Sequence, residues 1–178
     1  MESGEPDVVE RYDVTHNSYD LLYREEQFSK YEYLFNDLNI LPGDTIADIG
    51  CGTGLLYEFL RTMMTFYHKY VCIDPSDGMI SEAVRKARND PLIIFIVSFA
   101  ENLPLVDNAV SDVFMITVWD NLRDPSMAVK EMKRVSREKI VITKLSKTNS
   151  PPPSLYDSDF KYEGTLIDDF YIFKRRYL

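Results

Sequence analysis

The chain has 178 residues, of which 45% are hydrophobic and 28% are charged, and its formal net charge is −9. This length is typical of one globular domain with a substantial core. The negative charge argues against broad contact with nucleic acid by this chain alone, because nucleic-acid binders usually carry a basic face. The longest apolar run, Leu92–Val97, is far too short to cross a bilayer.

Cys51 and Cys72 are the only cysteines in the chain. They form neither a disulfide framework nor the spacing of zinc ligands, so we expect two reduced, buried thiols and no metal site. The acidic N-terminus lacks the basic-then-apolar profile of a secretory signal. The sequence therefore predicts a cytoplasmic protein that does not associate with membranes.

The first part of the chain, residues 7–39, carries tyrosines and apolar side chains at helical spacing. This pattern predicts two or three helices that end near Asn39, before the turn Leu41-Pro42-Gly43-Asp44. Residues 1–40 are thus interpreted as an N-terminal helical part of the same domain, and residues 41–178 as its core.

From residue 45 onward, strand-like and helix-like patterns alternate along the chain. Strands are predicted at Thr45–Ile49, Tyr70–Asp74, Leu92–Ser98, Val113–Val118 and Lys139–Leu145. Helices are predicted at Leu55–Tyr67, at Asp77–Asn89 and from Asp124-Pro125, an N-cap followed by proline, to Val135. A proline-rich loop is predicted at Ser146–Ser158. Two final strands are predicted after it, Tyr162–Ile167 and Phe170–Arg175, joined by a turn at Asp168-Asp169. This alternation predicts a doubly wound α/β sheet that binds ligands at the carboxyl ends of its strands.

The most informative segment is Ile46–Gly54, a strand that runs into three alternate glycines. Such glycines let the backbone turn tightly and approach a ligand closely, and the next helix offers unpaired N–H groups to that ligand. Leu55 stands where a dinucleotide fingerprint needs its last glycine, and the lysine of a P-loop is missing. The carboxylate of Asp48 would repel phosphates but attract a cationic or hydroxylated ligand.

This loop resembles motif I of the class I S-adenosylmethionine-dependent methyltransferases, D-x-G-x-G-x-G. The resemblance implies a Rossmann-like, mostly parallel seven-stranded sheet of order 3-2-1-4-5-7-6, with the last strand antiparallel and N-terminal lid helices. It also implies S-adenosylmethionine as the cofactor and S-adenosylhomocysteine as the product. The cofactor-binding residues that it implies in this segment are Asp48, Gly50, Cys51, Gly52 and Gly54.

A second segment, Val71–Met79, resembles the family's D-x-S-x-x-M pattern. Asp74 closes the second strand, where folds of this kind place an acid that binds ribose, and a carboxylate accepts strong hydrogen bonds from vicinal hydroxyls. The resemblance implies that Asp74 binds the ribose and that Pro75 and Met79 lie against the adenine. An N-cap acid with a core methionine is the structural alternative.

A third segment, Phe99–Pro104, resembles the family's D-A-x-x-L-P pattern, with Phe99 in place of the aspartate. A phenyl ring can stack on adenine but cannot accept a hydrogen bond from its amine. Adenine is then expected to depend on the backbone of Ala100 and on Glu101, and Phe99 puts the cofactor affinity in doubt.

The stretch that follows the fourth strand begins with Thr117 and corresponds to the family segment beside the transferable methyl group. We expect Val118 to contact the cofactor, and we expect the substrate to contact Trp119, Asp120 and Asn121. Asp120 could orient or deprotonate a nucleophile, and Trp119 could stack on a planar or cationic group. Asp120 could equally cap a turn.

The N-terminal tyrosines resemble those of the lid helices in small methyltransferases. Tyr19, Gln27 or Tyr31 is expected at the methionine end of the cofactor, with Tyr19 as our choice. Tyrosines at helical spacing are more often core or rim residues than ligands, which is the alternative.

These resemblances imply an S-adenosylmethionine-dependent methyltransferase that acts by direct displacement. The acceptor is either a small molecule or a translation-related macromolecule, namely tRNA, rRNA or protein. A non-catalytic S-adenosylmethionine-binding scaffold or regulatory subunit is the alternative function.

The apolar strand Leu92–Val97 would lie at the sheet edge in the family's strand order. An apolar edge without charge or proline is prone to aggregation unless it is covered. Either the chain's own helices bury this strand, or a small zinc-binding activator protein pairs with it by β-augmentation. Some methyltransferases that act on tRNA, rRNA or translation factors have such an activator, and nucleic acid would be bound only with a partner's help.

Overall fold

The computed structural model describes residues 8–63 and 69–175. Helix α1 spans Val8–Glu32 and continues into a π-helical turn over Tyr33–Asp37. The expectation of two or three helices is therefore wrong: this is one long helix, because no glycine or proline interrupts residues 8–37.

The described residues contain one seven-stranded sheet in the order β3-β2-β1-β4-β5-β7-β6. Its strands are β1 (Thr45–Ile49), β2 (Lys69–Asp74), β3 (Ile93–Val97), β4 (Val110–Met115), β5 (Ser136–Leu145), β6 (Lys161–Thr165) and β7 (Asp168–Lys174). Strand β7 is antiparallel to both of its neighbours, and the pairs among β1 to β5 are parallel. The predicted fold class and strand order are confirmed.

Within the described residues, four α-helices follow α1: α2 (Leu55–Thr62), α3 (Asp77–Ala87), α4 (Pro125–Val135) and the short α5 (Pro153–Tyr156). Helices α1, α2 and α3 pack on one face of the sheet, and α4 packs on the other, with α5 against it. Each face of the sheet carries a hydrophobic core: the first core lies under α1, α2 and α3, and the second core lies under α4. Successive side chains of β1 alternate between the two faces, so Ile46 lies in the first core and Ala47 in the second. None of the helices within the described residues is long and apolar enough to span a membrane.

Of the seven strands, only β1 has the predicted bounds, and two of the differences have a clear structural cause. Strand β4 starts at Val110 and stops at Met115, because the left-handed backbone of Thr117 (φ 61°) cannot continue a strand. The β6–β7 turn lies before Asp168, which is buried and pairs with Leu145 of β5. The predicted end of α2, at Tyr67, lies outside the described residues.

Cys51 and Cys72 are joined by a disulfide, with their Cα atoms 5.4 Å apart. The prediction of two reduced thiols is therefore wrong. Pairing of β1 with β2 brings Cys51, just beyond the tip of β1, beside Cys72 on β2, although 21 residues separate them in sequence. The expected cytoplasmic location loses the support that it drew from free thiols, because disulfides are rare in the cytosol.

Candidate functional site

A cavity of about 190 Å³ lies between α1 and the carboxyl ends of the central strands. This is the edge where parallel α/β sheets bind ligands. The predicted site residues that line it are Tyr19, Gly50, Gly52, Asp74, Pro75, Met79, Phe99, Ala100, Glu101, Val118 and Asn121. Four separate sequence segments and the N-terminal helix therefore meet at one site.

The glycine-rich loop forms one wall of the cavity through its backbone. The N–H groups of Gly50 and Cys51 donate to the Ile73 carbonyl at 2.7 and 3.1 Å, which ties the loop to the end of β2. Gly50 has a φ of +72°, and a Cβ there would overlap the Val118 side chain. The position therefore requires glycine both for its conformation and for the close approach of Val118.

Asp74 lies at the tip of β2 with its carboxylate at the cavity wall. Its oxygens accept hydrogen bonds from the backbone N–H groups of Gly52 and Ser76, each at 2.9 Å. The side chain is 8% exposed, and burial raises its pKa to about 6. A carboxylate has about four acceptor positions, so two backbone bonds leave capacity for donors in the cavity.

Three of the predicted cofactor residues do not line this cavity. The Asp48 carboxylate is buried in the core and accepts a 2.6 Å hydrogen bond from the Tyr70 hydroxyl, and its burial raises its pKa to about 7. Gly54 caps the start of α2. Cys51 borders a smaller neighbouring cavity with Tyr19, Gln27 and Tyr31. Direct contact of these residues with the cofactor stays a prediction.

The end of the cavity beyond Asp74 is formed by Phe99 and its neighbours. The Phe99 ring is 40% exposed, and the Arg123 guanidinium carbon lies 4.7 Å from its centroid. Glu101 Oε1 accepts from the backbone N–H groups of Arg123 and Asp124 at 2.9 and 3.2 Å. Phe99 therefore acts as a wall of the cavity, and Glu101 holds the loop before α4 in place.

Two of the three predicted catalytic side chains face away from the cavity. The Trp119 indole is 2% exposed in the second core and donates from Nε1 to the Pro151 carbonyl at 2.8 Å. Asp120 accepts from the Leu145 N–H at 2.9 Å and from two hydroxyl groups in the loop after β5. Both side chains thus have internal partners and do not line the cavity, and their contact with a substrate stays a prediction.

Asn121 is the predicted catalytic residue that does line the cavity. Its Nδ2 lies 3.5 Å from the Tyr12 hydroxyl of α1, and Tyr12 also lines the cavity. A polar amide and a phenol therefore face each other across the site.

Sequence reasoning missed a buried charge beside the site. Lys30 of α1 is fully buried and lies 3.0 Å from the carboxylate of Asp168, which is also fully buried. In sequence, Lys30 shows only an (i, i+4) pairing with Glu26, which is usual for an exposed helix face. Asp168 lies in a segment that was predicted to be a turn. No local signal predicts that they meet.

Helix α1 is attached over the site by polar contacts along its length. Asp13 accepts from the Gly78 N–H at 3.1 Å and from the Ser76 hydroxyl. Further along, Arg24 donates to both carboxylate oxygens of Glu58 at 2.7 and 2.8 Å. These contacts hold α1 against α2 and the start of α3, and its role as a lid stays a prediction.

The cavity fits S-adenosylmethionine in its donor and acceptor chemistry. Asp74 offers a buried carboxylate to vicinal hydroxyls. A Cβ on Gly52 would meet only the Met79 sulfur, at 4.0 Å, so the loop leaves room there for a ligand close to its backbone. Pro75, Met79 and Phe99 offer apolar surface to a base.

Comparison with known proteins supports this interpretation. A family described as a methyltransferase domain matches residues 47–141, more than half of the chain. A demethylmenaquinone methyltransferase of Renibacterium salmoninarum is 29% identical over 142 residues, which cover 79% of this chain and 56% of that protein. The chain spans between 38% and 56% of the length of the curated relatives it matches.

Solved structures show the same fold. A SAM-dependent methyltransferase from Aquifex aeolicus has a TM-score of 0.68 at 22% identity, over 90% of this chain and 97% of that chain. The complex between the Haloferax volcanii Trm112 methyltransferase activator and a methyltransferase contains a chain with a TM-score of 0.67 at 20% identity, over 79% of this chain and 61% of that chain. Given the family match over more than half of its length, the chain belongs to the methyltransferase domain family.

Proposed function

We propose that the protein methylates a small acceptor that binds beneath α1, next to the cofactor. The observation that carries this proposal is the cavity of about 190 Å³ to which α1 contributes Tyr12 and Tyr19 as part of the lining. A net charge of −9 also disfavours a polyanionic acceptor for the chain alone. The relative from Renibacterium salmoninarum is named for a small acceptor, a demethylmenaquinone, which supports the same class.

When bound, S-adenosylmethionine supplies an electrophilic methyl group that a nucleophile takes by direct displacement. The protein's part is to hold the reactants in line and to exclude water. Asp74 accepts from the ribose hydroxyls, and Pro75 and Met79 contact the base. The backbone of the loop at Gly50 and Gly52 holds the amino-acid tail.

The acceptor side of the cavity is assigned to Tyr12 and Asn121, which both line it. Burial raises the pKa of Tyr19 above its ordinary value, so this phenol stays protonated and can donate as well as accept a hydrogen bond. The Asn121 amide can both donate and accept. Asn121 is therefore our candidate for orienting the acceptor.

Two measurements test the proposal in sequence. Calorimetric titration with S-adenosylhomocysteine should show binding to the wild-type protein. Transfer of labelled methyl groups is then measured with small-molecule extracts and, separately, with tRNA, rRNA and protein extracts. Label in the small-molecule fraction supports the proposal, and label in a macromolecule alone contradicts it. Binding without any transfer favours the scaffold function.

A second candidate function concerns the edge strand. In the sheet β3 pairs with β2 alone, and Ile94 and Val97 are 41% and 49% exposed. An unpaired apolar edge is a site for β-augmentation. One structure of the same fold is a complex with the Trm112 activator. We propose that a small activator protein pairs with β3 and brings a macromolecular acceptor to the site.

Size-exclusion chromatography with light scattering tests this partner. The chain is expressed with and without a Trm112-type protein, and co-elution is expected for the wild type but not for Ile94→Lys. Tyr162→Lys is the matched control, because Tyr162 is an exposed aromatic residue on β6, at the opposite sheet edge. A wild-type chain that stays monomeric at high concentration and does not co-elute contradicts the proposal.

We also propose that the protein is located in the cytoplasm. Cell fractionation tests this location directly. Alkylation of the free thiols before lysis, followed by mass measurement, shows whether the Cys51–Cys72 disulfide is present in that compartment.

A further inference from the structure

A buried polar cluster joins α1 to the tips of β4, β5 and β7 beside the cavity. Its members are Gln27, Lys30, Thr117, Thr143 and Asp168. Lys30 and Asp168 are fully buried. A buried ion pair adds little net stability, because removing both charges from water offsets their attraction. Its presence at the ligand-binding edge of the sheet therefore points to a second role.

The Lys30 ammonium has three oxygen neighbours inside the protein. Its Nζ donates to Thr117 Oγ1 at 3.0 Å and forms ion pairs with Glu26 Oε1 at 2.7 Å and with Asp168 Oδ1 at 3.0 Å. Lys30 is not among the residues that line the cavity, whereas Thr117 is. We therefore expect the effect of Lys30 on the site to pass through Thr117.

Thr117 is the strained member of the cluster. Its φ is +61°, a conformation that a β-branched residue rarely adopts. Its hydroxyl accepts from Lys30 and from Gln27 Nε2 at 3.2 Å and donates to Asp168 Oδ2 at 3.0 Å. Its backbone N–H donates to Thr143 Oγ1 at 2.8 Å. The cluster therefore holds the left-handed backbone in place.

The backbone conformation at Thr117 determines the positions of two residues that line the cavity, Val118 and Asn121. Val118 packs against Gly50, so close that a Cβ on Gly50 would overlap it. Asn121, in the short turn that follows, faces Tyr12. A change in the backbone at Thr117 would move both residues relative to the glycine-rich loop.

We propose that Lys30 and Asp168 are positioning residues for cofactor binding. Their ion pair holds the backbone of Thr117 in its left-handed conformation, and this conformation sets the positions of Val118 and Asn121 at the cavity wall. Because Lys30 belongs to α1, the same ion pair links the shape of the cavity to the packing of α1 on the sheet. This inference rests on the assignment of the cavity to the cofactor.

The test is the affinity for S-adenosylhomocysteine, measured by calorimetry. Lys30→Met and Asp168→Asn are each expected to weaken binding at least tenfold. Thr117→Gly is expected to bind within threefold of the wild type, because glycine adopts positive φ without help. For the same reason, the double variants K30M/T117G and D168N/T117G should recover to within threefold of the wild type. A role in stability alone would not be rescued in this way.

Lys139→Met is the matched control. Lys139 forms a 2.7 Å ion pair with the fully buried Asp112 near the amino ends of β4 and β5, away from the cavity. Its loss should lower the thermal stability and leave the affinity unchanged.

Wild-type affinity in both K30M and D168N, or no recovery in the double variants, overturns the inference. If K30M does not fold, the two Asp168→Asn variants carry the same comparison. A wild-type protein that fails to bind S-adenosylhomocysteine overturns the cofactor assignment and this inference with it. A binding wild type with unaffected single variants overturns the inference alone.

Discussion

The first β–α–β unit, residues 45–74, and the segment after β4, residues 116–124, both border the cavity, but they are organised differently. In the first, the residues that the sequence singles out, Gly50, Gly52 and Asp74, lie at the cavity wall. In the second, Trp119 and Asp120 face internal partners. The backbone conformation that a glycine or a strand end requires can be predicted from the neighbouring residues. The direction in which a side chain points depends on partners elsewhere in the chain.

The sharpest way to test the first region is to remove the Asp74 carboxylate. Asp74→Ala should weaken S-adenosylhomocysteine binding about 100-fold, because charge-assisted hydrogen bonds contribute about 1.5–3 kcal/mol each. Calorimetry measures the loss. Asp77→Ala is the control, since Asp77 is exposed three residues further along the same segment. Unchanged affinity in Asp74→Ala would remove the basis of the cofactor assignment.

The same carboxylate predicts a pH dependence of binding. Burial raises the pKa of Asp74 to about 6, and only the ionised form accepts from both ribose hydroxyls. As the pH falls through 6 the carboxyl group becomes protonated, so the dissociation constant should rise, approaching tenfold per pH unit below that value. Titrations between pH 5 and 8 check this. Asp74→Asn should abolish this dependence, and a flat wild-type profile would contradict it.

Phe99 offers a gain-of-affinity test at the base end of the cavity. Phe99→Asp adds an acceptor for the exocyclic amine of adenine, which should strengthen binding about three- to tenfold. Phe99→Ala removes the ring without adding an acceptor and should weaken binding. If the aspartate variant binds no better than the alanine variant, the base does not lie against this residue.

The smallest expected effect on affinity is at Asp120, in the second region. Asp120→Ala should leave S-adenosylhomocysteine binding within about twofold and lower the free energy of unfolding by about 1–3 kcal/mol, because donors in the loop after β5 lose their acceptor. Denaturant unfolding measures that loss. A large fall in affinity with unchanged stability would instead return Asp120 to the active site.

Much of the fold could be predicted from the sequence, because glycine turns, helix caps and apolar periodicity are local signals. The start of α4 is an example: the Asp124 side chain accepts from the Met127 N–H, and Pro125 begins the helix. The strand order came from resemblance to a family and not from periodicity.

The polar half of the site could not be predicted in the same way. Lys30, Thr117 and Asp168 lie far apart in sequence, and each has an ordinary local interpretation. Thr117 also has a positive φ, which the sequence does not indicate, because threonine rarely adopts that conformation. The disulfide was missed for a related reason, since only the pairing of β1 with β2 brings its two sulfur atoms together.

The polar contacts that Asp13 and Arg24 of α1 make with α3 and α2 have a consequence for the rate of cofactor release. Asp13 contacts the start of α3 and Arg24 contacts α2, so we expect these contacts to open before a bound nucleoside leaves past α1. Departure of the spent cofactor would then limit turnover, as lid opening does in many enzymes. Salt weakens exposed ion pairs, so moderate ionic strength should speed each round.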